Sequence, residues 1–363
     1  MLKAIRQKLN KNPLVNFLAS TKLAVVLIFF LIIIVVAGTL EQSVTGLYQA
    51  REKYFDAYLS FIGPIPIPGT LSILWAMTFN LSLSFLLRFN FTKKNTGLIL
   101  SHSGLILLFI SGFFHFYYSK ESFIDIKEAE TSSISQSYDD WQLEIKQFDG
   151  NFKELETKSI SINKLDTRNI EFKNKFNIFI ERKYTNAKVF HTPFAGILVK
   201  ELPLEKEYEK NIPALKLVLN KEEIFLDGDE NSFERIFSNG NNLTLSLKRK
   251  EFNLPFTIKL LDVERELHPN SMIASSYSSK VAFKDSGIER EAIISMNKPI
   301  RSGSYTVYQA RYGIDLDGNE FSVLAVVKNL NYQLPYWATF LINFGLILHF
   351  IIAFLNYKRK VKA

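Results

Sequence analysis

The sequence predicts an integral membrane α-helical protein with four transmembrane helices and a large, mostly β extracytoplasmic domain inserted between helices 3 and 4. Three observations support this fold class: four long apolar runs, basic residues clustered beside them, and one long polar segment with strand signals. Hydrophobic residues make up 47 % of the chain, which contains 32 Phe. This excess is concentrated in the apolar runs, as expected of membrane spans.

Each apolar run approaches the ~20 residues that a spanning helix needs. We place the transmembrane helices at about 23–40, 70–87, 97–118 and 335–356, and none of these segments contains Asp, Glu, Lys or Arg. The second is the weakest because it contains Asn80 and several hydroxyl residues. The first is longer than the ~7–15 apolar residues of a cleaved signal peptide, so we expect it to remain as a span.

Basic residues predict the orientation of the helices. Three groups of Lys and Arg have no acidic neighbours in their segments: Lys3, Arg6, Lys8, Lys11 and Lys22; Arg88, Lys93 and Lys94; and Lys358, Arg359, Lys360 and Lys362. The positive-inside rule makes 1–22 and 357–363 basic cytoplasmic tails and places 119–334 outside. Without these twelve residues the formal charge of +8 becomes −4. The basic pI therefore reflects topology, and a nucleic-acid partner is excluded.

The segment 119–334 predicts a mostly β domain, which we expect to be a sandwich. Polar residues alternate with Thr, Val, Tyr and Leu in four runs: 242–252, 256–264, 304–313 and 321–329. Turn dipeptides separate such runs: Asp149-Gly150, Asp227-Gly228, Asn239-Gly240 and Asp317-Gly318. The last of these predicts a hairpin that leads into the fourth helix.

The outer domain offers no catalytic motif, and we identify no catalytic residue. The chain has no Cys, which excludes disulfides and thiol chemistry of its own. Its two histidines in this domain, His191 and His268, are expected to be surface or hydrogen-bonded side chains. The chemistry is therefore predicted to lie in the membrane.

Two histidines lie well inside the apolar runs, away from their outer ends. His102 follows Lys94 by eight residues on the third helix, and His349 precedes Lys358 by nine on the fourth. At 1.5 Å per residue both imidazoles are predicted about 12–13 Å from the cytoplasmic face. An ionisable side chain in a membrane is costly and marks a pathway, a relay or a cofactor. Axial ligation of haem iron explains a neutral, desolvated imidazole, so His102 is the main candidate ligand and His349 a weaker one.

Simpler explanations remain open at this point. Either histidine can form a hydrogen bond between helices, with Asn343 or Asn80 as the partner. His115 lies among aromatic residues at the outer end of the third helix, where an aromatic belt explains it. Because the four runs contain no carboxylate, a pump or an ion transporter is disfavoured.

Several segments resemble the ResB/CcsB proteins of System II cytochrome c biogenesis, along nearly the whole chain. They are STKLAVVLIFFLIIIVVAGTLEQ (20–42), NTGLILSHSGLILLFISGFF (95–114), HPNSMIASSYSSKVAF (268–283), SMNKPIRSGSYTVYQARYG (295–313) and FSVLAVVKNLNYQLPYWATFLINFGLILHF (321–350). The Asn-x-Pro, Gly-x-Tyr and Tyr-Gln elements occur in a fixed order.

The resemblance implies a subunit of a holocytochrome c synthase in the bacterial cytoplasmic membrane. Such proteins pair with a CcsA/ResC-type membrane subunit and move haem b outward, where the complex attaches it covalently to apocytochrome c. The family's third-span haem ligand maps onto His102, and the partner is expected to supply the second ligand. Scattered Trp residues imply that this chain is not catalytic alone. Thiol-reducing proteins are further candidate partners, and strand addition is one way to hold apocytochrome.

Two other functions compete with this interpretation. A membrane b-type haem protein for electron transfer would use His102 and His349 as a ligand pair within the chain. A non-haem assembly scaffold would use both only for packing. A receptor is disfavoured because the predicted cytoplasmic segments are too short for an output domain.

Overall fold

The structure is a computed structural model, and it describes residues 12–149, 153–164, 170–171, 177–192, 196–219, 222–228, 233–238, 241–269, 274–315 and 317–361. The chain forms two compact units. One unit combines Met1–Ser119 with Asn329–Ala363, and the other is Lys120–Lys328. The first is helical and the second is made of β-strands.

The helical unit contains four helices that are long and apolar enough to cross a membrane. We number five of its helices α1 (Pro13–Leu18), α2 (Thr21–Thr45), α3 (Thr70–Arg88), α4 (Thr96–Tyr118) and α5 (Leu334–Val361); a short α-helix, Leu47–Ala50, and a π-helical turn, Arg51–Phe55, follow α2. A short hairpin, β1 (Leu59–Ile62) and β2 (Ile65–Pro68), connects α2 to α3. The predicted four spans, with a β domain between the third and the fourth, are thus confirmed.

Two polar side chains organise the start of this unit. The Ser20 hydroxyl accepts a hydrogen bond from the Leu23 backbone N–H (3.1 Å) and caps α2. On α3, the buried Asn80 amide donates to the carbonyls of Leu18 (2.6 Å) and Ser20 (3.0 Å). Both carbonyls lie at the break between α1 and α2, and the Ser20 carbonyl also accepts from the Ala24 N–H (3.2 Å). These two hydrogen bonds explain why the second predicted span contains a polar residue, Asn80.

The second unit contains most of the strands. They are β3 (Lys120–Lys127), β4 (Thr131–Phe148), β5 (Glu154–Ser161), β6 (Ile170–Glu171), β7 (Asn177–Tyr184), β8 (Ala187–Thr192), β9 (Gly196–Glu201), β10 (Ala214–Leu219), β11 (Glu222–Asp227), β12 (Phe233–Ser238), β13 (Asn241–Leu267), β14 (Ala274–Asp285), β15 (Ile288–Ser295), β16 (Ile300–Ser302), β17 (Tyr305–Ile314) and β18 (Glu320–Lys328).

The large sheet follows the order β15-β14-β13-β4-β3-β18-β17-β16, with β12 beside β13 and β5 beside β4. Every pairing in it is antiparallel. A smaller sheet has the order β11-β10-β7-β6, and β8 pairs with β9 in a separate ribbon. These orders apply to the described ranges.

Two hydrophobic cores stabilise the β unit. In the first, the inner residues of β4 and β13 pack against the small sheet, as Leu143 and Leu245 do against Leu217. This is a face-to-face sandwich, as the sequence predicts. The second core lies inside the curved end of the large sheet, where Phe283 and Leu324 are fully buried.

Strand β13 combines two segments that the sequence predicts as separate strands, 242–252 and 256–264. The pairing of β13 with β4 shifts register between Asn253 and Ile258, around Pro255. A proline cannot donate to the ladder, so the bulge accommodates it without ending the strand. The predicted hairpin before the fourth helix is confirmed as β17 and β18.

Candidate functional site

Helices α4 and α5 run antiparallel and meet along a seam of small residues. A Cβ atom added to Gly104 would lie 2.9 Å from the Ala338 carbonyl oxygen, and one added to Gly345 would lie 2.5 Å from the Ser101 backbone nitrogen. At Gly97 an added Cβ would collide with the His349 backbone. Small residues let two helices approach this closely in a membrane. Gly104 thus serves helix packing.

His349 belongs to this seam. Its backbone lies against Gly97, and its Nδ1 atom is buried with no hydrogen-bond partner among the described residues. A buried polar atom without a partner is costly. The close contact between the backbones, however, leaves no space for a macrocycle between α4 and α5 at this level.

His102 lies on a different face of α4. Successive residues on an α-helix are offset by about 100°, so His102 is turned about that far from Ser101, which faces Gly345. Its half-exposed ring contacts Phe89 at the end of α3, with ring centroids 4.5 Å apart and planes tilted by 57°. The structure therefore does not bring His102 and His349 together.

The seam sets the relative level of the backbones of the two histidines. Because Gly97 lies opposite His349 in the seam, His349 is level with Gly97. His102 is five residues further along α4, which corresponds to about 8 Å along the helix axis.

A hydrogen bond fixes the tautomer of the His102 ring. Its Nδ1 lies 2.9 Å from the Leu98 carbonyl oxygen, one turn earlier on α4. A carbonyl oxygen only accepts, so Nδ1 carries the proton and a neutral ring keeps a lone pair on Nε2. With the residues that the structure describes, Nε2 makes no hydrogen bond.

The two asparagines suggested as partners bind elsewhere. Asn343 donates to the Thr339 carbonyl of its own helix (2.9 Å), and Asn80 donates to the break before α2. Neither bonds to His102 or His349. The simple explanation by hydrogen bonds between helices to these asparagines is therefore not supported.

The other histidines lie outside this site. His115 is exposed at the end of α4, where its Nδ1 accepts a hydrogen bond from Asn329 (3.2 Å). His268 is exposed after β13, as expected of a surface side chain. The backbone of His191 pairs with Ile197 in the β8–β9 ribbon, and its side chain is outside the described residues.

Sequence reasoning missed a groove of about 720 Å³ in the β unit, beside Arg249 and Tyr138. The Arg249 guanidinium donates to the carbonyls of Ser137 (3.3 Å), Tyr138 (2.6 Å) and Glu209 (2.5 Å), and lies 4.4 Å from the Trp141 ring centroid. Burial lowers the pKa of Arg249.

Burial also raises the pKa of the Tyr138 hydroxyl to about 12, with the negative charge of Glu209 as the next cause. In the sequence, Arg249 lies within LKRKEF, a charged stretch of a half-exposed strand. That pattern gives no sign that the guanidinium of its second basic residue is held by three backbone carbonyls.

The architecture is that of a membrane protein whose four long apolar helices carry a large β domain. Residues 224–345 match the family described as ResB-like. The match runs from β11 into α5 and confirms the resemblance to ResB/CcsB proteins; it supports a role in cytochrome c biogenesis. His102 and His349 lie outside the matched residues. A search of curated proteins found no match.

Proposed function

We propose that this protein is a component of the System II cytochrome c maturation complex. In this proposal His102 binds haem within the membrane, a CcsA/ResC-type subunit supplies the second ligand, and the complex attaches haem covalently to apocytochrome c. The observation that carries the proposal is the hydrogen bond from His102 Nδ1 to the Leu98 carbonyl, which keeps Nε2 unprotonated.

This arrangement fits an axial ligand. A histidine that binds a metal donates its other ring N–H to a carbonyl or carboxylate, which fixes the ring orientation and raises the basicity of the ligating nitrogen. Leu98 takes that role for His102. Haem, when bound, supplies the iron that accepts the lone pair and the vinyl groups that become thioethers.

The location of His102 favours a second ligand from another chain. Its ring is half-exposed and turned away from the α4–α5 seam, so the nearest face of α4 is open to a further helix. His349 remains a weaker candidate, because its orphaned Nδ1 sits in a seam too close for a macrocycle. A ligand at His349 would require α4 and α5 to separate.

The positions of the basic residues support the direction of transfer. The clusters at the ends of α3 and α5 favour cytoplasmic termini and an extracytoplasmic β unit in a bacterial cytoplasmic membrane. Haem would then enter from the inner side and meet apocytochrome c beside the β unit. This chain binds and positions, and we assign it no catalytic residue.

The electron-transfer alternative has less support. A haem held by His102 and His349 needs both imidazoles on opposite sides of one iron atom. The His102 side chain is turned away from the α4–α5 seam to which His349 belongs, and the Cα atoms of the two residues lie about 8 Å apart along the axis. A non-haem scaffold is the other alternative. The absorption spectrum distinguishes cytochrome c maturation, electron transfer and the scaffold.

The test is the absorption spectrum of the purified full chain, alone and with its partner subunit. We expect b-type haem in the wild-type complex, its loss in His102→Ala, and its retention in His349→Ala and in the control His115→Ala. In His102→Gly, added imidazole should restore the haem spectrum, which a merely structural role would not allow. Haem lost in both His102→Ala and His349→Ala from the isolated chain would support electron transfer, and no haem in any sample would leave the scaffold.

A further inference from the structure

Strands β3 and β4 form a hairpin that opens towards its turn. Only residues 128–130 connect them, yet their ladder has two residue pairs, Ser122–Ser137 and Phe123–Gln136. The turn bonds to β13 instead, since the Ala129 N–H donates to the Leu260 carbonyl (2.9 Å). The groove of about 720 Å³ lies along this opening, and we call it the β3–β4 groove.

Side chains occupy the backbone positions that a neighbouring strand would take here. The Ser132 hydroxyl accepts from the Ile134 N–H (3.2 Å) and donates to the Ile134 carbonyl (3.0 Å). The Glu130 carboxylate accepts from the Lys127 N–H (3.0 Å). An incoming extended chain can replace the Ser132 hydroxyl at Ile134 and keep both backbone groups bonded.

The charges of the groove favour a cationic guest. Its lining has the carboxylates of Asp125, Glu130, Glu207, Glu209 and Glu251 and the cations Lys210, Arg249 and Arg311. Two of these cations are engaged: Arg249 binds backbone carbonyls, and Lys210 pairs with Glu207 (2.7 Å).

Two carboxylates lack a direct bonding partner among the described residues, although the negative charge of Glu209 partly offsets the lowering of the Arg249 pKa. The carboxylates of Glu209 and Glu251 form no hydrogen bond or ion pair with the described residues. Arg311 is the remaining cation of the lining. Five carboxylates against three cations leave the lining with a formal excess of two negative charges. Aromatic walls at Phe123 and Tyr138 add faces on which the stem of a long basic side chain can lie.

We propose that the β3–β4 groove binds an extended segment of a cationic polypeptide. The segment pairs its backbone with Ile134 and places basic side chains beside Glu209 and Glu251. That the segment belongs to apocytochrome c before haem attachment rests on the proposed function above. The recognition then combines backbone bonds, which give affinity for any extended chain, with carboxylates that select its charge.

The test uses the full chain in lipid nanodiscs and a fluorescent lysine-bearing peptide built around a Ser-x-x-Ser-His version of the haem-attachment motif. Glu209→Gln and Glu251→Gln should each weaken binding roughly three- to tenfold. The control Glu289→Gln, on exposed β15 and outside the groove, should change it by less than about twofold. The same peptide with alternate backbone nitrogens methylated should bind much more weakly, because strand pairing is blocked.

Three results would overturn the groove proposal: no binding of the peptide to the wild-type chain, equal binding by the Glu209→Gln/Glu251→Gln double variant, or equal binding of the methylated peptide. The haem spectrum of the same samples separates this from the haem proposal. His102→Ala should lose haem and keep its peptide affinity. If the peptide does not bind but haem binding persists, only the groove proposal is contradicted.

Discussion

The backbone of His349 occupies the space that a side chain on Gly97 would need. A methyl group at Gly97 would collide with the amide nitrogen and the Cα atom of His349. This contact is one of several close backbone contacts between α4 and α5, and it places the orphaned Nδ1 of His349 in a seam of small residues. His102, on the same helix as Gly97, is thereby left on another face.

The contact predicts that Gly97→Ala destabilises the helical unit even though Ala is the better helix former. We expect a loss of about 1–3 kcal/mol from overpacking, because the atoms in the way are backbone and cannot rotate aside. The control is Gly112→Ala on the same helix, where an added Cβ meets nothing within 4 Å. Thermal unfolding in detergent measures both, and equal midpoints would contradict the close seam.

The different hydrogen bonds of Asn80 and Asn343 predict that the same substitution has unequal effects at the two positions. Asn80→Leu removes the donors to the carbonyls of Leu18 and Ser20 and should cost about 1–2 kcal/mol. Asn343→Leu, whose amide donates only within its own helix, should cost much less. Hydrogen exchange at the start of α2, read by mass spectrometry, should rise only for Asn80→Leu. A rise in both variants would remove this role.

Arg249 predicts that a conservative change is not tolerated in the β unit. Arg249→Lys keeps the charge but loses the fork that donates to three carbonyls, so we expect a loss of about 2–3 kcal/mol. The control Arg182→Lys changes an exposed ion pair with Glu201 and should cost less than about 1 kcal/mol. Trp141 fluorescence during denaturation reports the loss. Similar unfolding midpoints for both variants would contradict this stabilising role of Arg249.

Asp315 predicts an acid-sensitive turn before β18. The ion pair with Lys127 (2.9 Å), followed by the Asn319 backbone N–H, holds the pKa of Asp315 well below its usual range. A carboxyl with a lowered folded pKa stabilises the fold above its unfolded pKa of roughly 4, and this stability is lost as pH falls through the folded pKa.

Asp315→Asn keeps an acceptor for the turn but removes the charge, so its unfolding midpoint should fall less steeply with acid than that of the wild type. Lys127→Met should reduce the same slope, because it removes the first cause of the shift. Melting curves from neutral pH down to roughly pH 3 test this. Parallel curves for all three proteins would contradict it.

Much of the fold could be predicted because it depends on local patterns. Apolar length gives the four helices, and alternation with turn dipeptides gives the strands of the β17–β18 hairpin. The same patterns predict two strands where the structure has β13, because a proline such as Pro255 usually ends a strand. Only the partner strand β4, by shifting register there, shows that the strand continues.

The candidate site divides in the same way. The sequence by itself determined that His102 lies inside an apolar helix, because composition and the cost of an ionisable group in lipid require no partner to be known. Only the tertiary structure decided that His102 is turned away from the seam that holds His349, and that Arg249 is partly buried beside a groove. The rotation and offset of one helix against another, and the opening of a hairpin, depend on contacts between residues far apart in the chain, and no local pattern contains them.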